Sequence, residues 1–486
     1  MNSNQKSNVL PIVMMFALFA MISFVTGLSN PVGVIIKNQD GIQNWMSQLG
    51  NFANFLAYLF MGLPSGLLLK RKGYKFSALT AIAIGILGVG IQLISGFMPY
   101  EKGGDFTPIF TVYLTGAFVS GFSMCLLNAV VNPMLNTLGG GGKKGNQLIQ
   151  FGGSLNSFAA TIVPILGGYL IGNIAKATIS NAIPALFIAI GIFALTFIVL
   201  LLVKIPEPHL ESAEKAAIKH NHSPLSFRHF KLGAIAIFLY VGVEVGLANI
   251  SNLFMTTYTP EQVEGIKSEY TKQQSDTAYL AQLKADAVAN PNIESKVVTE
   301  KTYKKACETK ISGLGMNTST AGSVVGTYWF LMLIGRFTGG SLGSKFSSKT
   351  MLTFVTSLGL VLVLLAIFSP ITTTVKMPVF QSDISFGLAE VPISIMFLIL
   401  GGLCTSVMWG GIFNLAVEGL GKYTAQASGF FMVMVVGGGV LPLIQGAVAD
   451  SVGFVASYWV IFVGIAYMLY YALIGCKNVN KDIVVE

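Results

Sequence analysis

Apolar runs of roughly twenty residues recur along the whole chain, and they constrain its fold more than any other feature. A hydrocarbon core about 30 Å thick is crossed by about 20 helical residues at a rise of 1.5 Å each. By that measure the chain holds twelve spans, at 10–37, 48–70, 76–98, 109–138, 146–172, 181–204, 231–258, 317–340, 349–373, 389–417, 422–449 and 455–475. In lipid every backbone N–H and C=O needs an internal partner, which leaves helices or closed barrels. The runs lack the period-2 alternation of barrel strands, so helices are expected and strands are not. Charged residues make up 10% and apolar ones 53%, with a mean hydropathy of +0.68. That leaves too little polar surface for a soluble globular domain and too much apolar mass for a disordered one. The chain reads as an all-α, multi-pass membrane protein.

The net charge of +9 does not point to nucleic acid, because the basic residues sit in short clusters between spans. With both termini cytoplasmic, the inner loops hold Lys70, Arg71, Lys72, Lys75, Lys143, Lys144, Lys345, Lys349 and Lys422. The short outer loops hold Lys37, Lys102, Lys176 and Lys376. This bias predicts cytoplasmic termini, since Lys and Arg accumulate on the inner side. The first apolar run is too long for a signal-peptide core and reads as a span. Cys125, Cys307, Cys404 and Cys476 show no metal-ligand spacing and imply no disulfide framework.

Two segments interrupt the pattern. Residues 205–230 are rich in Pro, His and charge and read as a cytoplasmic linker between an N-terminal half, 1–204, and a C-terminal half, 231–486. Residues 260–312 are polar, charge-balanced and helix-prone, and fall on the outer face as a surface insertion. The halves also resemble each other. GLPSGLLLKRKGYK after the second span matches GRFTGGSLGSKFSSKT after the eighth in pairing small residues with a basic turn. The fifth and eleventh spans, GSLNSFAATIVPILGGYL and GFFMVMVVGGGVLPLIQGAV, place small residues before a Pro and Gly after it. Such a parallel repeat implies two six-helix halves related by an axis along the membrane normal.

The chain resembles the major facilitator superfamily, and within it the fucose/galactose/glucose–proton symporter branch. The resemblance is carried by NAVVNPMLNTLG…GGSLNSF, YVGVEVG, GRFTGG and IFNLAVEGLG…ASGFFMVMVVGGG…P, in that order. It implies two six-helix halves around a midplane cavity and sugar uptake by alternating access, driven by a cation gradient in a bacterial inner membrane. It also implies a departure. Fucose members carry acids in the first and fourth spans where this chain has Asn30, in LSNP, and Asn128, in NAVVNP. Glucose/galactose members share the YVGVEVG pattern, with Glu244.

An intramembrane carboxylate is costly and so a functional candidate by default. Glu418, Asp450 and Glu390 fall near span ends, and Arg336 is assigned to the loop motif after the eighth span, which leaves Glu244 deep. Asn128, Asn132 and Asn136 form a stripe at i, i+4 and i+8 beside Pro133. Ser23, Thr26 and Asn30 share a face of the first span, and Gln147, Gln150, Ser154 and Ser157 line the fifth. Ser251 and Asn252 follow Glu244 on the seventh. Amides suit sugars because they both donate and accept, although each single Asn serves equally well as interhelical glue. Tyr240, Trp329 and Trp409 could stack on a pyranose or simply pack. The expected substrate set is Asn30, Asn128, Asn132, Gln150, Ser154, Glu244, Asn252, Trp409 and Asn414, with Glu244 also coupling the cation.

No Gly-Lys phosphate loop, metal cluster or nucleophile triad occurs, so enzyme chemistry, cofactors and metals are not expected. The expected function is import of a hexose such as glucose or galactose, coupled to protons or Na⁺, by a monomer in the lipid bilayer. The alternatives are a facilitator, a symporter of an amino or deoxy sugar, and a sugar sensor that does not transport.

Overall fold

The computed structural model describes residues 9–24, 49–99, 106–171, 179–207, 222–289, 297–309, 311–381, 383–480 and 483. A helix stands at each predicted span. α1 (Val9–Phe24) covers the described part of the first. α2 (Leu49–Phe97) covers the second and third, α3 (Thr107–Leu138) the fourth, α4 (Gly142–Ile171) the fifth and α5 (Ile183–Leu202) the sixth. α6 (Arg228–Thr256) is the seventh span. The insertion folds as three short helices, α7 (Pro260–Ser275), α8 (Thr277–Ala289) and α9 (Glu300–Glu308). α10 (Thr318–Leu342) and α11 (Ser348–Phe368) are the eighth and ninth spans. α12 (Ile393–Thr405) with α13 (Met408–Val417), and α14 (Thr424–Met434) with α15 (Gly437–Val452), make the tenth and eleventh. α16 (Phe454–Tyr470) is the twelfth.

The expectation of no strands is corrected. β1 (Thr374–Phe380) and β2 (Phe386–Pro392) form an antiparallel hairpin, with Thr374 opposite Pro392 and Phe380 opposite Phe386. It lies between α11 and α12, so its exposed backbone edge is compatible with lipid only if it stands outside the hydrocarbon. The hairpin is tied to α10, where Thr327 Oγ1 accepts a 2.8 Å bond from Phe380 N and Phe330 stacks on Phe380.

Local chemistry sets the helix joints. Gly73 adopts φ 80°, which breaks α2 between its two spans. The Glu207 carboxylate, just past α5, accepts from Tyr74 N at 2.6 Å and Lys75 N at 2.8 Å. It caps the second half of α2 with charge of the right sign for a helix N-terminus. Lys75 Nζ in turn donates to Leu201 O and Val203 O at the end of α5. In α3, Pro133 has no N–H to give Ala129 O, and Ser428 Oγ of α14 donates to that carbonyl instead. The proline thus frees an acceptor for a contact between the first and last six helices.

Two pairs of helices carry most of the packing between these two sets. α2 meets α14 at small residues, where a Cβ on Gly429 would lie 2.8 Å from Gly62 O. α4 meets α10, where a Cβ on Gly340 would lie 2.8 Å from the Phe151 ring and Phe151 meets Phe337 edge to face. Both contacts lie toward the ends that carry the basic loops, and there Lys143 Nζ donates to Lys345 O.

Candidate functional site

Arg336 organises the middle of the molecule, and its assignment to a loop is corrected. It lies within α10 with its side chain 11% exposed, and it is the only buried Lys or Arg among the described residues. Removing a guanidinium from water is expensive unless its donors and its charge are both answered. Glu244 Oε1, 15% exposed on α6, accepts from Arg336 Nη2 at 3.2 Å. Arg336 Nη1 reaches across to α4, donating to Ser157 Oγ at 2.7 Å and Gly153 O at 3.2 Å, with Asn156 Oδ1 at 3.5 Å. Arg336 Nε donates to Ser406 O at the joint between α12 and α13. The guanidinium therefore bonds to α4, to α6 and to the α12–α13 joint, one nitrogen facing the first set of helices and the others facing the last.

Aromatic hydroxyls and the helix joint complete the surroundings. Tyr240 Oη lies 3.5 Å from Arg336 Nη2, and Tyr328 Oη donates to the Glu244 carbonyl and pairs with Thr405 Oγ1. The joint at Ser406 and Val407 interrupts the tenth span and turns its carbonyls toward neighbours. Val407 O accepts from Gln150 Nε2 at 2.9 Å, so a side chain of the first set grips it directly.

The amide stripe of α3 meets this region from the other side. Asn132 is buried, its Nδ2 donating to Asn128 O and its Oδ1 accepting from Trp409 Nε1 at 2.9 Å. Asn128 donates to Tyr58 Oη and Met124 O. The Trp409 indole also tilts against Tyr240, with centroids 6.1 Å apart. Ser154 donates to Gln150 O one turn back along α4. Of the nine expected residues, six, Asn128, Asn132, Gln150, Ser154, Glu244 and Trp409, meet around one junction, while Asn414 does not. Its Nδ2 donates to Ser348 Oγ, holding α13 to α11. Asn252 is exposed and two turns along α6 from Glu244, about 12 Å away by the helical rise. Asn30 and Thr26 lie outside the described residues. Ser251, seven residues from Glu244, is buried against Tyr458 Oη at 2.9 Å and turns away from the pair.

Arg336, Tyr328, Thr405 and Ser406 escaped the sequence reading. The signal for Arg336 was present, since residue 336 lies within the predicted span 317–340. No group of three or more His, Cys, Asp or Glu side chains capable of holding a metal occurs among the described residues. One part-buried carboxylate, one buried guanidinium and several neutral amides suit a neutral polyhydroxylated solute better than a charged one, because the cation is already matched.

Comparison with known proteins agrees with this architecture. The chain is 25% identical over 480 residues to a glucose/galactose transporter of Brucella abortus, covering 98% of this chain and 96% of that one. It is 20% identical to the L-fucose-proton symporter of Escherichia coli, over 92% and 89% of the two chains. Among solved structures, the major facilitator transporter FucP in its outward conformation superposes with a TM-score of 0.67 at 18% identity, covering 96% and 98%. The proton:xylose symporter XylE superposes with a TM-score of 0.64 at 12% identity, covering 97% and 96%. The sequence profile of the Major Facilitator Superfamily matches residues 12–281, more than half of the chain. With a described helix at each of the twelve expected spans, this chain belongs to the Major Facilitator Superfamily.

Proposed function

We propose that this protein imports a hexose, glucose or galactose in class, by alternating access between its two six-helix halves, coupled to a proton or Na⁺ gradient. The observation that carries the reading is the Glu244–Arg336 pair, a deep carboxylate beside neutral amides where the two halves meet. Coupling needs a group whose state changes the balance between two conformations. A carboxylate qualifies because neutralising it changes the charge balance of a dry interior, where an unmatched charge is costly. The names of the Brucella abortus and Escherichia coli relatives, which span nearly the whole chain, support a sugar as the cargo.

In this reading Glu244 takes the cation, and Asn128, Asn132, Gln150, Ser154 and Trp409 line the sugar path. Asn30, Asn252 and Asn414 remain candidates from the sequence pattern. The halves run 1–204 and 231–486 about the 205–230 linker, in a monomer with both termini in the cytoplasm. Purified protein in proteoliposomes, offered labelled glucose, galactose, fucose and xylose with imposed pH or Na⁺ gradients, tests the proposal. Uphill accumulation of glucose or galactose is expected. Binding without uptake of any of the four sugars would overturn it in favour of a sensor.

A further inference from the structure

We infer that Arg336 is a latch that holds the basic ends of α4 and α10 together while Glu244 is charged, and releases them when Glu244 is neutralised. This deepens the proposed function by naming a residue that would transmit cation occupancy to the movement of the halves.

The argument starts from the division of the guanidinium. Arg336 Nη1 bonds to Ser157 Oγ and Gly153 O on α4, while Nη2 bonds to Glu244 on α6. Those α4 contacts are neutral oxygens, and Ser406 O, which takes Nε, is neutral as well. Among the described residues, the carboxylate is therefore the only opposite charge bonded to the guanidinium. The closed contact between α4 and α10 excludes water from Arg336, and this is tolerable only because Glu244 balances it. With Glu244 protonated or paired with Na⁺, the same contact traps an unbalanced cation. Separation of α4 from α10 then becomes favourable, since it hydrates the guanidinium. The sign suits symport: the loaded carboxylate promotes opening of the basic end, and the unloaded one holds it shut. The titratable groups facing Glu244 are Arg336 and Tyr328 from α10 and Tyr240 from α6. No second carboxylate stands ready to take over its charge among these neighbours.

Phe151→Cys reports the opening, because the Phe151 ring fills the contact between α4 and Gly340 of α10. In a background free of native cysteines, labelling by a membrane-permeant maleimide is measured without sugar or gradient. Glu244→Gln is expected to raise the rate by about 5- to 150-fold, the range typical of couplings between sites. Adding Glu244→Gln to Arg336→Gln is expected to change nothing further, because no cation remains to be stranded. Equal rates in the parent and Glu244→Gln overturn the latch. So does an increase of the same size whether or not Arg336 is present. Should Glu244→Gln fail to insert, the parent is labelled on acidification and with Na⁺ exchanged for choline; a rate insensitive to both overturns the latch. The readout needs no transport, so a protein that carries a different cargo still passes or fails it independently.

Discussion

Trp409 and Asn132 form the plainest side-chain bridge between the halves, an indole N–H donating to a buried amide oxygen at 2.9 Å. Trp409→Phe keeps most of the ring packing but leaves Asn132 Oδ1 without this donor in a buried setting, which costs about 1–3 kcal/mol. The expected outcome is a lower melting temperature in detergent. Asn132→Leu combined with Trp409→Phe should lose less than the two single variants added together, because neither partner is then stranded. Additive losses would show that the bond carries no coupling energy. At Glu244 the expected result is functional: Glu244→Gln, which mimics the neutral form, loses uphill accumulation while retaining sugar counterflow. Full accumulation by this variant would remove Glu244 from coupling. Of these residues, Glu244 was legible because a carboxylate inside YVGVEVG stands out in lipid. Arg336 was not, because GRFTGG looks like the repeat's loop motif, and the side chain's true neighbours come from α4 and α6, far away in sequence. Asn414 shows the reverse error. An amide in a span predicts a hydrogen bond but not with whom, and here Ser348 takes it.

Elements were read more securely than residues, since length and apolarity alone place a membrane helix. The described parts of the spans stand within a few residues of their expected bounds, but the hairpin falls mostly in the short outer loop expected between the ninth and tenth spans, with only the end of β2 inside the tenth. Each strand is only seven residues long, too short to stand out against span-length apolar runs. The break at Ser406 and Val407 was equally silent, as nothing in LCTSVMWGG interrupts apolarity. The insertion was legible as helix-prone and polar, and the structure adds why it is separable. Its two stems clamp each other: Gly313 N donates to Tyr258 O, Leu314 N to Phe254 O, Gly315 N to Thr257 O and Met316 N to Met255 O. Thr259 and Gln262 form a capping box, and Gln262 Nε2 bonds to Gly315 O. Inside the unit Tyr270 stacks on Tyr303 at 4.3 Å. Replacing residues 266–310 with a short Gly/Ser linker therefore leaves the stem intact and should leave transport close to that of the parent. Loss of sugar binding in a deleted protein that still inserts would show that the insertion takes part in the site.

At the scale of the whole molecule, the basic clusters and the closed contacts lie at the same end, which makes a joint prediction about sidedness and motion possible. Lys143, Lys345 and the α2–α14 and α4–α10 contacts all gather there. If the halves rock as rigid bodies, opening at one contact must open the other, although they share no residues. Gly429 is the place to test this, because its missing side chain lets α14 approach the Gly62 carbonyl. A leucine there cannot fit without pushing α2 and α14 apart, since backbone rather than a flexible side chain is in the way. Gly429→Leu should thus stabilise the form with its basic end open and raise maleimide labelling at Phe151→Cys, on the α4–α10 contact. Combined with an impermeant reagent applied from one side in vesicles of known orientation, the same cysteine should label from the cytoplasmic side in the Gly429→Leu protein. Unchanged labelling in a well-folded Gly429→Leu protein would mean that the two contacts yield separately and that the halves do not move as units. Labelling from the external side alone would reverse the orientation that the Lys and Arg distribution implies.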